Sequence, residues 1–219
     1  MAKINAVAAP NLIIAPDTYS QSREEQLNNE LRLYFNRLNT YLNTLQDTSG
    51  GAGLSLPHIA AEYSADQFAD GDDTPTLVLW DSAPSLQGFT LNADGTATVL
   101  EAGVYKIDYS LQFANTENVA LDAQVWLQVN SENVAGSSSI FTLPARKSSG
   151  VYSYIVGYSS IVFGILAGQK VGLWWAAEQA YESGVQDGLY MYNQAAITSP
   201  YNAPSNPSAI GSITFVSRS

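Results

Sequence analysis

From Thr76 onward the chain adopts a two-residue rhythm, and this constrains its fold more than any other feature. Val104-Tyr105-Lys106-Ile107-Asp108-Tyr109-Ser110-Leu111-Gln112-Phe113 alternates apolar with polar almost without a break, and so does Ala123 to Val129. Successive side chains of a strand point to opposite faces, so this pattern describes strands with one face in a core and the other outside it. Shorter runs of the same kind are Leu77–Trp80, Gly88–Leu91, Thr96–Leu100, Ser138–Leu143, Val151–Tyr158, Ser160–Ile165, Val171–Ala176, Gly188–Tyr192 and Ser212–Val216. Asp94-Gly95 is a tight hairpin signal between two of them. About ten short strands separated by turn residues predict an antiparallel sandwich or barrel.

The first third of the chain reads differently. Pro10 and Pro16 forbid a continuous helix over residues 1–22, which are predicted to be extended, with Leu12-Ile13-Ile14 as a small apolar plug that has no local partner. One helix is predicted over residues 20–46, capped by Ser20 or Ser22. Leu27, Leu31, Tyr34, Leu38, Tyr41 and Leu45 recur at alternating spacings of four and three, a heptad seam, and Phe35 and Leu42 widen it. The seam is short for an autonomous coiled coil, and it suits docking or self-association in an oligomer. Asp47-Thr48-Ser49-Gly50-Gly51-Ala52-Gly53 has the composition of a hinge. The expected organisation is an arm and helix over 1–46, a linker over 47–74, and a β domain over 75–219.

Composition narrows the function classes. Only 13% of the residues are charged, about half the usual share, so a polar uncharged or heavily covered surface is expected, as in a subunit of an assembly. The formal net charge of −11 argues against nucleic acid, whose phosphates need clustered Lys and Arg. Fifteen of the twenty carboxylates lie after residue 47, so the arm is close to neutral, as a docking segment would be. The absence of cysteine removes disulfides, thiolate metal sites and Cys nucleophiles. The opening Met1-Ala2-Lys3-Ile4-Asn5 does not make a signal peptide, and no apolar stretch reaches the roughly 18 residues of a membrane span. No membrane insertion is expected.

Several β segments together resemble a known family. Ala102-Gly103-Val104-Tyr105-Lys106-Ile107-Asp108-Tyr109 is similar to the Gly-x-Tyr-x-Ile-x-Tyr strand of the tumour-necrosis-factor and complement-globular-head superfamily. Val125 to Asn130 followed by Val134 resembles its next paired strands. Leu166-Ala167-Gly168-Gln169-Lys170-Val171-Gly172-Leu173 resembles its Leu-x-x-Gly-Asp-x-Val-x-Leu turn, with Gln169 where Asp is usual, and Ile210 to Val216 resembles its last strand. Trp174-Trp175 and the Pro-rich stretch Ser199 to Pro207 depart from the pattern. The resemblance implies a mostly β chain, a ten-strand antiparallel jelly-roll sandwich preceded by the extended arm and short helix. It also implies a homotrimer about an aromatic and aliphatic axis, with Tyr105, Tyr109 and Tyr158 as axis candidates. Leu31-Arg32-Leu33-Tyr34-Phe35-Asn36-Arg37-Leu38-Asn39, between a Pro-containing arm and a Gly-rich linker, resembles the start of structural proteins of bacteriophages, marine ones especially. That implies localisation in a virion, with the arm docked on a capsid, portal or tail component and the β knob as a fibre, spike or head decoration.

Catalytic chemistry finds little to stand on. His58 is the sole histidine; it falls in the predicted linker, and no Gly-x-Ser-x-Gly elbow is present. Asp66, Asp70, Asp72 and Asp73 with Glu62 lack the EF-hand ligand order and read as a solvated acidic loop. Glu178 and Glu182 are the carboxylate pair a glycosidase reading would use. The expectation is a non-enzymatic protein with no catalytic residue, no metal and no cofactor. Tyr181 and Tyr201, both in predicted loops, are the candidate contacts with an outside ligand, a host-surface glycan being the partner they suit.

Overall fold

The computed structural model describes residues 20–45 and 56–218, and the chain divides into two units, Met1–Leu56 and Pro57–Ser219. In the first, the Ser20 carbonyl accepts the amides of Arg23 and Glu24 at 3.1 and 3.2 Å, and helix α1 runs Gln21–Leu45. The heptad positions Leu27, Leu31, Tyr34 and Leu38 are partly buried, whereas Leu33, Phe35, Tyr41 and Leu42 are exposed. The seam is therefore a stripe at its centre, and Phe35 and Leu42 do not widen its covered part. Leu12, Ile13, Ile14, the Leu45 side chain and the hinge at 47–53 lie outside the described residues.

The second unit holds fourteen strands among the described residues. They are β1 (His58–Tyr63), β2 (Gln67–Phe68), β3 (Thr76–Leu77), β4 (Ser82–Gln87), β5 (Phe89–Leu91), β6 (Ala97–Val99) and β7 (Gly103–Asn115). There follow β8 (Leu121–Val129), β9 (Glu132–Asn133), β10 (Ser139–Leu143), β11 (Ser153–Ile165), β12 (Lys170–Ala177), β13 (Leu189–Met191) and β14 (Ala209–Ser217). They form two seven-stranded sheets, and the pairings between strands are antiparallel. Sheet A has the order β2-β13-β7-β14-β1-β4 with β11 also on β7; sheet B has the order β10-β8-β12-β6-β5, with β3 on β12 and β9 on β8. The chain crosses between sheets from β7 to β8, back from β10 to β11, and again at β11 to β12, which is a jelly-roll sandwich.

The alternation in the sequence is the packing of this sandwich. Tyr105, Ile107, Tyr109, Leu111 and Phe113 of β7 point inward and are buried. They meet Leu121, Ala123, Val125 and Leu127 of β8 and Val171, Leu173, Trp175 and Ala177 of β12, all buried in the same cluster. Trp175 is fully buried, its ring 5.8 Å from that of Phe113, while Trp174 faces out beside its register partner Trp126. Burying one such large apolar side chain contributes about 1.5–3 kcal/mol.

The sheet begins earlier than the sequence suggests. Residues 47–74 were expected to be a linker, but β1 pairs His58–Tyr63 with Thr214–Ala209 of β14 along its whole length. His58 is therefore a sheet residue, with its Nε2 2.8 Å from the Ser85 hydroxyl. Strand β4 carries Pro84, tolerated because β4 is at the edge of sheet A. The two runs Val151–Tyr158 and Ser160–Ile165 are a single strand, because β11 pairs residue for residue with the thirteen residues of β7. The Asp94-Gly95 turn forms as expected: Gly95 has φ +85°, and Asp94 Oδ1 accepts the Thr96 amide at 3.0 Å. Gln169 closes its turn by accepting the Leu166 amide at 2.7 Å, an acceptor role an aspartate would also fill.

Candidate functional site

Two surfaces of the sandwich carry more than packing. The first is the outer face of sheet A. On β11 the odd positions from Ile155 to Ile165 turn inward, which leaves Tyr154, Val156, Tyr158 and Val162 outward and 53–60% exposed. Ile210 and Val216 of β14 are exposed beyond them. Between these strands β7 presents a polar row. Lys106 Nζ lies 3.0 Å from Asp108, and the Tyr158 hydroxyl donates to the same carboxylate at 3.1 Å. Burial raises the Asp108 pKa, but hydrogen bonds from Lys106, Ser160 and Tyr158, with the Lys106 charge, outweigh it and hold the carboxyl below its ordinary value. Covering the exposed half of each apolar side chain on this face would contribute about 1 kcal/mol.

The sequence expectation for the axis divides here. Tyr158 is on this open face. Tyr105 and Tyr109 are not: they are 0% and 2% exposed inside the sandwich. The correction follows from the two-residue period, since Lys106, Asp108, Ser110 and Gln112 fill the outward positions of β7 and leave the inward ones to the aromatics. The Tyr105 hydroxyl donates to the Glu101 carbonyl at 2.6 Å, and burial, then the Glu101 charge, pushes its pKa up to about 12. The Tyr109 hydroxyl is buried with no hydrogen-bond partner among the described residues. Tyr109 borders a small pocket of about 50 Å³, lined chiefly by aliphatic and aromatic side chains such as Ile59, Trp80, Leu127 and Ile213.

The second surface is an open cleft of about 570 Å³ between the 68–72 and 180–186 loops. Register sets its aromatic wall. Strand β2 pairs Phe68 with Tyr190 of β13, and their rings stack at 5.6 Å and 23°. Tyr181 lies 5.8 Å from Phe68 and 5.2 Å from Tyr190. The run continues through Tyr192, 6.1 Å from Tyr190, to Tyr154, 4.9 Å further, so the cleft adjoins the outer face of sheet A. Burial raises the Tyr190 pKa strongly, with the Asp66 charge next, so its hydroxyl stays neutral.

Asp72 fixes the opposite loop. Its Oδ1 accepts the Ala180 amide at 2.8 Å and the Gln186 side-chain amide at 2.9 Å. Asp66 Oδ1 accepts the Asn193 amide at 2.7 Å. Two members of the acidic stretch, both exposed, thus also accept backbone amides. Just past the 180–186 loop and outside the cleft lining, Arg146 donates to Asp187 at 2.6 Å and to the Thr116 carbonyl at 2.7 Å. Gly188 packs so closely that a Cβ there would lie 2.5 Å from the Ala180 backbone.

Of the predicted ligand contacts, Tyr181 lines the cleft; Tyr201 is 62% exposed and is not among the lining residues. Glu182 also lines it, while Glu178 accepts the Asp122 amide at 3.0 Å. Phe68 and the outward residues of β11 other than Tyr158 were missed. The signal for the second was present, because the alternation of Val151–Ile165 leaves apolar residues on both faces. Nothing in the sequence marks Phe68, whose role comes from a two-residue strand.

No protein-family model matches the chain, and no curated protein matches it. Among solved structures, the globular domain of a zebrafish complement 1qA protein is similar, with 14% identity and a TM-score of 0.42 over 75% of this chain and 100% of that one. The assignment to the jelly-roll sandwiches rests on the strand order and register described above.

Proposed function

We propose that the protein is a non-enzymatic virion structural protein of a bacteriophage, a homotrimeric fibre, spike or capsid-decoration subunit anchored through its N-terminal arm. The observation that carries the trimer is the outer face of sheet A. A sheet face with six large apolar side chains open to solvent requires a cover. The occupant it fits is a second copy of this chain, because the same face holds a polar row, Lys106, Asp108 and Tyr158, able to fix the register of a symmetric contact. Attachment rests on the resemblance of the arm and of Leu31–Asn39 to phage structural proteins. It is supported by the partly covered stripe Leu27, Leu31, Tyr34 and Leu38 on α1. Three arms held together by the knob would dock on a capsid, portal or tail component with a large gain in effective concentration.

Deleting residues 1–46 tests the division of labour. The expected product is soluble, folded and trimeric, and it no longer enters particles. Incorporation at normal copy number would place attachment on the knob instead.

A second reading, in which the knob also attaches to a host-surface glycan, is favoured by the aromatic cleft, which has no evident role in holding the sandwich together.

A further inference from the structure

We infer that the Phe68–Tyr181 cleft is a sugar-binding site for an uncharged or amino-bearing pyranose unit of a glycan, and that it excludes acidic sugars. The inference rests on the second reading above and gives it a site and a ligand class. A pyranose ring has an apolar face of C–H bonds and a rim of hydroxyls, so its site needs a flat aromatic surface with hydrogen-bonding groups beside it. Phe68 and Tyr181 supply the surface: their rings are tilted by only 30°, and Phe68 is 48% exposed although backed by Tyr190. Leaving so large an apolar ring half in water at the end of the edge strand β2 is unfavourable unless it has a ligand to cover. The rim carries the Asp70 and Glu182 carboxylates, which have no hydrogen-bond or ion-pair partner among the described residues, and the Ser183 hydroxyl. Carboxylates accept from sugar hydroxyls through charge-assisted bonds, and a hydroxyl both donates and accepts.

The electrostatics select the ligand within that class. No Lys or Arg lines the cleft, its lining carboxylates are Asp70, Asp72 and Glu182, and the Asp66 charge acts on Tyr190 behind Phe68. Phosphate, sialic acid and uronic acid would meet only like charge, whereas an amino sugar would meet opposite charge. A metal ion is not favoured, because the described carboxylates form no converging group of three or more. The volume of about 570 Å³ lies within the usual range of small-ligand sites. The loop is held before any ligand arrives, by Asp72 on Ala180 and Gln186 and by Arg146 on Asp187. Asp72 is therefore a positioning residue, while Phe68, Tyr181, Asp70 and Glu182 would touch the sugar.

The test is saturation-transfer NMR on the full chain with maltotriose, chitotriose, chitosan trimer, sialyllactose, trigalacturonate and spermidine. Binding of at least one neutral or amino trisaccharide is expected, with no binding of sialyllactose or trigalacturonate. Phe68→Ala, and separately the exposed-loop change Glu182→Gln, should weaken it at least tenfold. Light scattering on the same samples separates failures: a trimer that binds no sugar in the panel sinks this inference, and with it the cleft's support for glycan attachment, while the structural trimer stands. Binding of spermidine only would make the cleft an ammonium site and overturn it. Sugar binding unchanged in both variants would place the site elsewhere.

Discussion

Replacing Tyr109 with Phe should stabilise the protein, although it removes a polar group from the inside of the sandwich. Tyr109 is 2% exposed, and its hydroxyl has no hydrogen-bond partner among the described residues. A buried donor left unsatisfied forfeits its hydration, a penalty of about 1–3 kcal/mol. Tyr109→Phe removes that penalty and leaves the ring, so the expected gain is about 1–2 kcal/mol. At about 2–4 °C per kcal/mol for a domain of this size, Tm should rise by several degrees. Tyr105 is the internal control. It is on the same inward face of β7, four residues earlier, and its hydroxyl donates to the Glu101 carbonyl at 2.6 Å. Tyr105→Phe should therefore lower stability by about 1 kcal/mol. Urea unfolding of both variants, compared at equal slope, gives the two signs. A loss at Tyr109 equal to that at Tyr105 would refute the reasoning, and so would a change in oligomeric state in either variant, because that would return these tyrosines to a subunit axis.

Val156→Asp puts a carboxylate on the open face of sheet A; light scattering should report monomers, while circular dichroism stays native because Val156 is 60% exposed in the single chain. Asp108 has a lowered pKa in the fold, so its contribution is present above the ordinary aspartate value of 3.8 and is lost as pH falls through the lower folded value. Thermal melts of Asp108→Asn should accordingly lose part of the acid-side decline seen in the parent. Gly188→Ala must displace the Ala180 backbone, so a loss of about 1–3 kcal/mol is expected in denaturant unfolding, with cleft ligands weakened as well.

The strands that bury one clean face were legible in the sequence: β7, β8 and β12 follow their alternation, and the Asp94-Gly95 hairpin follows its turn residues. Strand β1 was hidden because His58-Ile59-Ala60-Ala61-Glu62-Tyr63 has few β-branched residues and gains its place from pairing with β14, far away in the chain. Strand β4 was masked by Pro84, which only an edge can accept. Tyr105 and Tyr109 were assigned to the wrong side because aromatic character suggested an interface, whereas the period alone decides which way a side chain points. Apart from Tyr158, the outward apolar residues of β11 were legible but not used, and Tyr181, expected in a loop, lines the cleft. Phe68 was not legible, since its ring partners come from residues more than a hundred positions away.

The trimer we propose joins three copies of this chain through the outer face of sheet A. Its most direct test is the mass of the full chain in solution at micromolar concentration, measured by light scattering. Three chains of 23.5 kDa give about 70 kDa, and that mass should fall to the single-chain value in Val156→Asp. A parent protein that stays monomeric, or a trimer indifferent to Val156→Asp, would rule out that assembly.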